Sequence, residues 1–130
     1  MGIRVLLDTH VFLWALLEPQ RLSRTAKRLL EDLQNDIVLS SASAWEIAIK
    51  RRIGKLRQAD HLVEHLDQAM HSLQASELPI TSSHALKAGA WPVAHRDPFD
   101  RMLAAQAFLE RLPLITSDPV FEAFAIEVIW

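Results

Sequence analysis

Ile3-Arg4-Val5-Leu6-Leu7-Asp8 is a short apolar run, rich in branched side chains, that stops at an acid. It is too short for a helix and shows no polar alternation, so it reads as a strand buried on both faces. Working outward, the same grammar recurs. A helix is expected from Val11 to Leu17 and closed by Pro19, and Ser23 then caps a second helix carrying Ala26, Leu29, Leu30 and Leu33. Gln34-Asn35-Asp36 turns into a strand at Ile37–Leu39. Ser40-Ser41 leads into a helix with Trp45, Ile49 and Ile53 on one face and Gly54 as its stop. Leucines 62, 66 and 73 with Met70 predict one amphipathic helix over 60–73. Leu78-Pro79-Ile80 is a weaker strand, followed by a short helix over 83–88. Asp97-Pro98 opens a further helix that Pro113 ends. Leu114-Ile115-Thr116 and Ile126–Ile129 supply the last strands, with a helical turn at Pro119 between them. Strands alternating with helices imply an α/β fold: a central, mostly parallel sheet of four to five strands with helices on both faces.

At 130 residues the chain has the usual size of one domain, and residues 1–130 are read as a single one. Half of it is hydrophobic and 23% is charged, which excludes a disordered chain. With no cysteine, any metal must sit on oxygen or imidazole nitrogen. No leader-like or membrane-spanning apolar stretch is present, so a soluble, cytoplasmic protein without membrane contact is expected. A net charge of −2 does not advertise a nucleic-acid partner, although a local basic patch can exist within an acidic whole.

The chemistry lies in four acids, Asp8, Glu46, Asp100 and Asp118, each placed where a strand gives way to a helix. Singly, each has a structural explanation. Asp8 and Asp118-Pro119 suit helix caps, Ser43-Ala44-Trp45-Glu46 matches a capping box, Glu46 can pair with Lys50, and Asp97-Pro98-Phe99-Asp100 is a helix start. Jointly they favour another explanation. In an open parallel sheet these junctions share the carboxyl edge, where ligands bind near the switch point of the strand order. Four carboxylates gathered there repel one another unless a cation intervenes, and hard Mg²⁺ or Mn²⁺ prefers such oxygen ligands.

Val5-Leu6-Leu7-Asp8-Thr9-His10, Ser43-Ala44-Trp45-Glu46-Ile47, His95-Arg96-Asp97-Pro98-Phe99-Asp100-Arg101 with Ala104-Ala105-Gln106-Ala107, and Leu114-Ile115-Thr116-Ser117-Asp118 together resemble PIN-domain ribonucleases, and among them the VapC-type toxins of bacterial toxin–antitoxin pairs. The resemblance spans nearly the whole chain in order, and only the joint pattern is specific. It implies a PIN-like fold and metal-assisted hydrolysis of RNA, with Asp8, Glu46, Asp100 and Asp118 as the metal-binding, catalytic acids. Asp100, four residues before Ala104, fits the register of the third acid, while Asp97 fits a cap. Thr116 resembles the hydroxyl residue two before the last acid, and Thr9 is a further orienting candidate. The implied cofactor is Mg²⁺, with Mn²⁺ as substitute. The implied partners are an RNA substrate, a cognate antitoxin and a second copy in a homodimer.

Phosphate contacts are less defined. Arg96 and Arg101, with His95, flank the third acid; Lys50, Arg51, Arg52, Lys55 and Arg57 either track RNA or form a solvated helix end. Trp14, Trp45, Trp91 and Trp130 are expected to fill core or interface, and the Leu62/Leu66/Met70/Leu73 stripe a core or dimer seam. Two rivals stay open: a module of this fold that binds RNA or protein without cutting, and a phosphatase using Asp8 as nucleophile, which wants an acid where His10 stands.

Overall fold

A computed structural model describes residues 2–56 and 59–130. Five strands, β1 (Arg4–Leu7), β2 (Asp36–Ser40), β3 (Ala75–Leu78), β4 (Leu114–Ile115) and β5 (Val128–Ile129), form one sheet in the order β3-β2-β1-β4-β5, every pair parallel. The α/β expectation is met at its five-strand limit. Seven helices connect and cover the described strands: α1 (Thr9–Leu17), α2 (Arg24–Glu31), α3 (Ser41–Arg52), α4 (Ala59–Glu64), α5 (Leu66–Ser72), α6 (Ser82–Ala90) and α7 (Pro98–Glu110).

Both faces of the sheet are buried, because successive side chains of a strand point opposite ways. Val5 and Leu7 join Phe12, Ile37, Leu39 and Ile47 in one core, and Leu6 joins Val38, Leu103, Leu114 and Phe121 in the other. That two-sided burial explains the continuous apolar strands. The strand order reverses beside β1, whose neighbours β2 and β4 run out in opposite directions, so the end of β1 opens into the crevice that such a reversal creates.

Three local expectations change. The helix over 60–73 breaks at His65, with φ −133 and ψ 40, into α4 and α5; the bend lets Leu62, Leu66, Met70 and Leu73 all reach the first core. The third strand ends before Pro79 instead of containing it, since proline has no N–H for the ladder, and polar Ser76 and Glu77 are tolerated because β3 is an edge strand. Helix α3 is rotated from its expected face: Ala42, Ser43, Glu46 and Ile47 point inward, while Trp45 is 58% and Ile53 51% exposed. Its stop is as expected. Gly54, at φ 75, donates its N–H to Arg51, and the Lys55 N–H reaches back to Lys50.

Candidate active site

Asp8 follows β1 and is 5% exposed. It occupies the cap position of α1, yet its carboxylate makes no capping bond; Thr116 Oγ1, just beyond β4, donates to Asp8 Oδ2 at 2.7 Å. The same Thr116 oxygen accepts the Asp118 N–H at 3.0 Å, so one hydroxyl ties the ends of two neighbouring strands. Asp118 starts a 3₁₀ turn, Pro119–Ala123, and caps it through Val120 N–H.

Glu46 is 8% exposed on α3. The capping-box reading fails: α3 starts at Ser41, Ser40 Oγ accepts the Ala42 N–H, and the Ser43 hydroxyl instead lies 2.8 Å from Thr9 Oγ1. Thr9 therefore braces α1 against α3 through a buried hydroxyl pair. The pairing with Lys50 is present, at 3.0 Å from Glu46 Oε2, and Lys50 also lies 3.5 Å from His10 Nε2.

At the start of α7 the two aspartates divide their roles. Asp97 Oδ1 accepts the N–H groups of Phe99 and Asp100 and is the cap. The Asp100 carboxylate stands outside the cap, 2.8 Å from His95 Nε2. A carboxylate can only accept, so the imidazole proton sits on Nε2 while Asp100 is ionised.

The four acids share one electric field. Burial raises the pKa of Asp8; the Thr116 bond and His10 oppose the shift, and the charges of Glu46 and Asp118 add to it. Burial likewise pushes Asp100 up to about 6, against the His95 bond, with Asp97 and Asp8 adding to the rise. Asp8 is thus the common member, sensed by or sensing each of the other three. Among the described residues, however, no three carboxylate or imidazole groups already converge tightly enough to enclose an ion. Thr116, His95, Lys50 and Val120 each hold one of the acids.

The basic candidates separate. Arg101 is not free for phosphate: its guanidinium donates to the carbonyls of Ala88, Trp91, Val93 and His95 at 2.6–2.8 Å, clamping the loop that carries His95. Arg51 is taken by Asp60 and Glu64. Arg96 is exposed and enters no ion pair among the described residues, whereas Arg57 lies outside them. Sequence reasoning missed the Thr9–Ser43 pair and the role of His95. The Thr9–Ser43 pair leaves no local signal, because only the fold brings its two segments together; His95 stands five residues before Asp100, so its neighbourhood was visible in the sequence and only its partner was not.

A family model for the PIN domain matches residues 5–127. The chain belongs to the PIN-domain family. This PIN domain is 32% identical over 115 residues to ribonuclease VapC22 of Mycobacterium tuberculosis, covering 88% of the chain and 86% of that relative. Ribonuclease VapC16 of the same organism is 36% identical over 58 residues, a stretch that spans 45% of this chain and 41% of that relative. Among solved structures, VapBC2 from Rickettsia felis, bound to a promoter DNA fragment, superposes with a TM-score of 0.71 at 16% identity, over 99% of this chain and 98% of that one. A toxin–antitoxin complex from Klebsiella pneumoniae gives 0.59 at 21% identity, over 97% and 96%. At those identities the structures speak to the fold, and the α/β PIN architecture agrees with them. Among the described residues no helix is long and apolar enough to cross a membrane.

Proposed function

We propose that this PIN domain, read as one domain over residues 1–130, is a divalent-metal-dependent endoribonuclease of the VapC type, the toxin of a cytoplasmic toxin–antitoxin pair. The observation that carries the reading is Asp8: a buried carboxylate at the strand-order reversal, in the field of Glu46, Asp118 and Asp100. The names of the VapC relatives support ribonuclease activity, and the likeness to toxin–antitoxin complexes supports an antitoxin partner. A homodimer is part of the same proposal.

The residues suit a hard cation. The four acids offer carboxylate oxygens, and burial plus mutual repulsion raise the pKa of Asp8 and Asp100, a strain that a nearby positive charge relieves. Asp8 and Asp100 would hold Mg²⁺ or Mn²⁺ most directly, with Asp118 and Glu46 completing the sphere directly or through water. When bound, such an ion supplies a Lewis acid that lowers the pKa of water and offsets charge on the phosphate. The chain's own groups do the rest. Thr116 fixes the Asp8 carboxylate, His95 orients that of Asp100, and Thr9 with Ser43 fixes the spacing of α1 from α3. Glu46 or Asp118 takes the proton of the attacking water as its oxygen bonds to phosphorus and the bond to the leaving oxygen breaks. Arg96 is the phosphate contact.

Purified protein free of antitoxin is expected to cut RNA with Mg²⁺ or Mn²⁺ and to stop on addition of chelator. Cutting that continues in chelator would reject the metal, and binding without cutting would make the chain a non-cleaving module.

A further inference from the structure

Beside the acids, a slot of about 250 Å³ opens between the first turns of α3, α6 and the start of α7. Trp45 and Phe99 line it, their rings meeting edge-on with centroids 4.9 Å apart, and Ile80, Ala88 and Met102 help close its apolar wall. Two features set it apart from ordinary packing. Trp45 is 58% exposed, so it is not filling the core that its sequence position suggested. Trp45 and Phe99 also immediately precede Glu46 and Asp100 on two different helices, and adjacent helical residues diverge by only about 100°. The slot and the acid cluster are therefore neighbouring faces of the same two helix starts. The wall is held in place, because Ala88 and Arg101, which both line the slot, are joined by the Arg101 Nε to Ala88 carbonyl bond of 2.8 Å.

Charge complementarity selects the occupant. The slot pairs an apolar, aromatic lining with one exposed cation, Arg96, that forms no ion pair among the described residues. A nucleotide has the matching form, a flat base attached to an anionic phosphate, and bases stack on exposed aromatic rings. An apolar protein side chain would fill the slot and leave Arg96 unanswered. We propose that this slot receives the base of a nucleotide adjoining the scissile phosphate, stacked on Trp45 with Phe99 bracing the indole, while Arg96 holds that nucleotide's phosphate. The slot would thus position the cut, and the inference rests on the ribonuclease reading above.

The test uses the full, antitoxin-free chain with Mg²⁺ on a pool of short random single-stranded RNAs, with the cut sites mapped. Trp45→Ala is expected to lower kcat/KM about tenfold, the effect of losing one base–aromatic stack, and to flatten the base preference at one position beside the cut. Trp45→Phe should restore most of both. Arg96→Ala should weaken cutting across all sequences and reduce its salt dependence. Because Trp45 is exposed, the thermal melt of its variants should stay close to that of the parent chain. A second arm measures binding alone: in an Asp100→Asn background, an oligonucleotide containing 2-aminopurine should be quenched by the parent chain and much less by Trp45→Ala. Loss of this Trp45-dependent quenching difference, together with unchanged cut sites and rates, would overturn the proposal and leave the slot to a protein side chain. If the parent chain cuts no RNA, the ribonuclease reading fails by itself, and the 2-aminopurine arm still decides whether the slot binds a base.

Discussion

Helix α7 touches two polar clusters, and they are built on opposite principles. At its start Asp100 faces His95 and the field of Asp8, with its pKa pushed up to about 6. Further along, Gln106 and Glu110 meet His84, which is 1% exposed. His84 is answered on every side. Its Nδ1 accepts the Thr81 N–H, its own N–H donates to Thr81 Oγ1, and its Nε2 lies 2.9 Å from Glu110 Oε2, closing the cap of α6. Among the described residues only Gln106 Oε1 is left without a partner there. The acid rim instead gathers like charges that the chain offsets only in part, through Lys50 on Glu46. Burial of polar groups alone does not mark a site; burial of groups that oppose one another does.

The sharpest way to break this contrast is to alter each cluster in turn. Asp100→Asn keeps the shape and removes the charge, so RNA cleavage should fall below detection while the melting temperature at pH 7 holds or rises. His84→Ala should do the reverse. Leaving Thr81 and Glu110 without their partner is expected to cost about 1–3 kcal/mol in denaturant unfolding, with cleavage per folded molecule retained. If Asp100→Asn melted early and still cut RNA, the two clusters would have to exchange roles.

A smaller effect separates them by pH. A carboxyl whose folded pKa lies above its unfolded value binds more protons in the folded state, so stability falls as pH rises through the interval between the two. For Asp100 that interval runs from the ordinary aspartate value of 3.8 to about 6. With chelator present, the melting temperature should therefore decline from pH 4 to pH 6, and the decline should flatten in Asp100→Asn. Adding Mg²⁺ at neutral pH should raise it, since a ligand that binds only the folded form stabilises it. The smallest effect belongs to Asp97→Ala, which should cost about 1 kcal/mol as a lost helix cap and spare most activity, distinguishing the cap from the acid three residues on.

Much of the fold was legible because strands buried on both faces announce themselves. Val5-Leu6-Leu7 and Ile37-Val38-Leu39 are apolar at every position, and both cores draw on them. Edge strand β3 was misplaced because Ser76 and Glu77 face solvent and carry no apolar signal. Helix α3 was misoriented for a related reason: hydrophobic periodicity puts Trp45 inside, while the fold spends that inward face on Ser43 and Glu46. The candidate site was legible as acids at strand–helix junctions, but cap grammar could not separate Asp97 from Asp100, and a basic side chain such as Arg101 looks the same whether it meets phosphate or main-chain carbonyls.

The sequence by itself determined the alternation of strands and helices, the PIN-type motif and the placing of four candidate acids at strand–helix junctions, because periodicity, breakers and residue chemistry are local properties. Only the tertiary structure decided that Thr116 holds Asp8, that His95 holds Asp100, that Arg101 serves its own loop, and that Trp45 and Phe99 open a slot beside the acids. The Thr116–Asp8 bond joins residues 108 positions apart. Such a pairing is fixed by the order of strands in the sheet, and no local pattern encodes it.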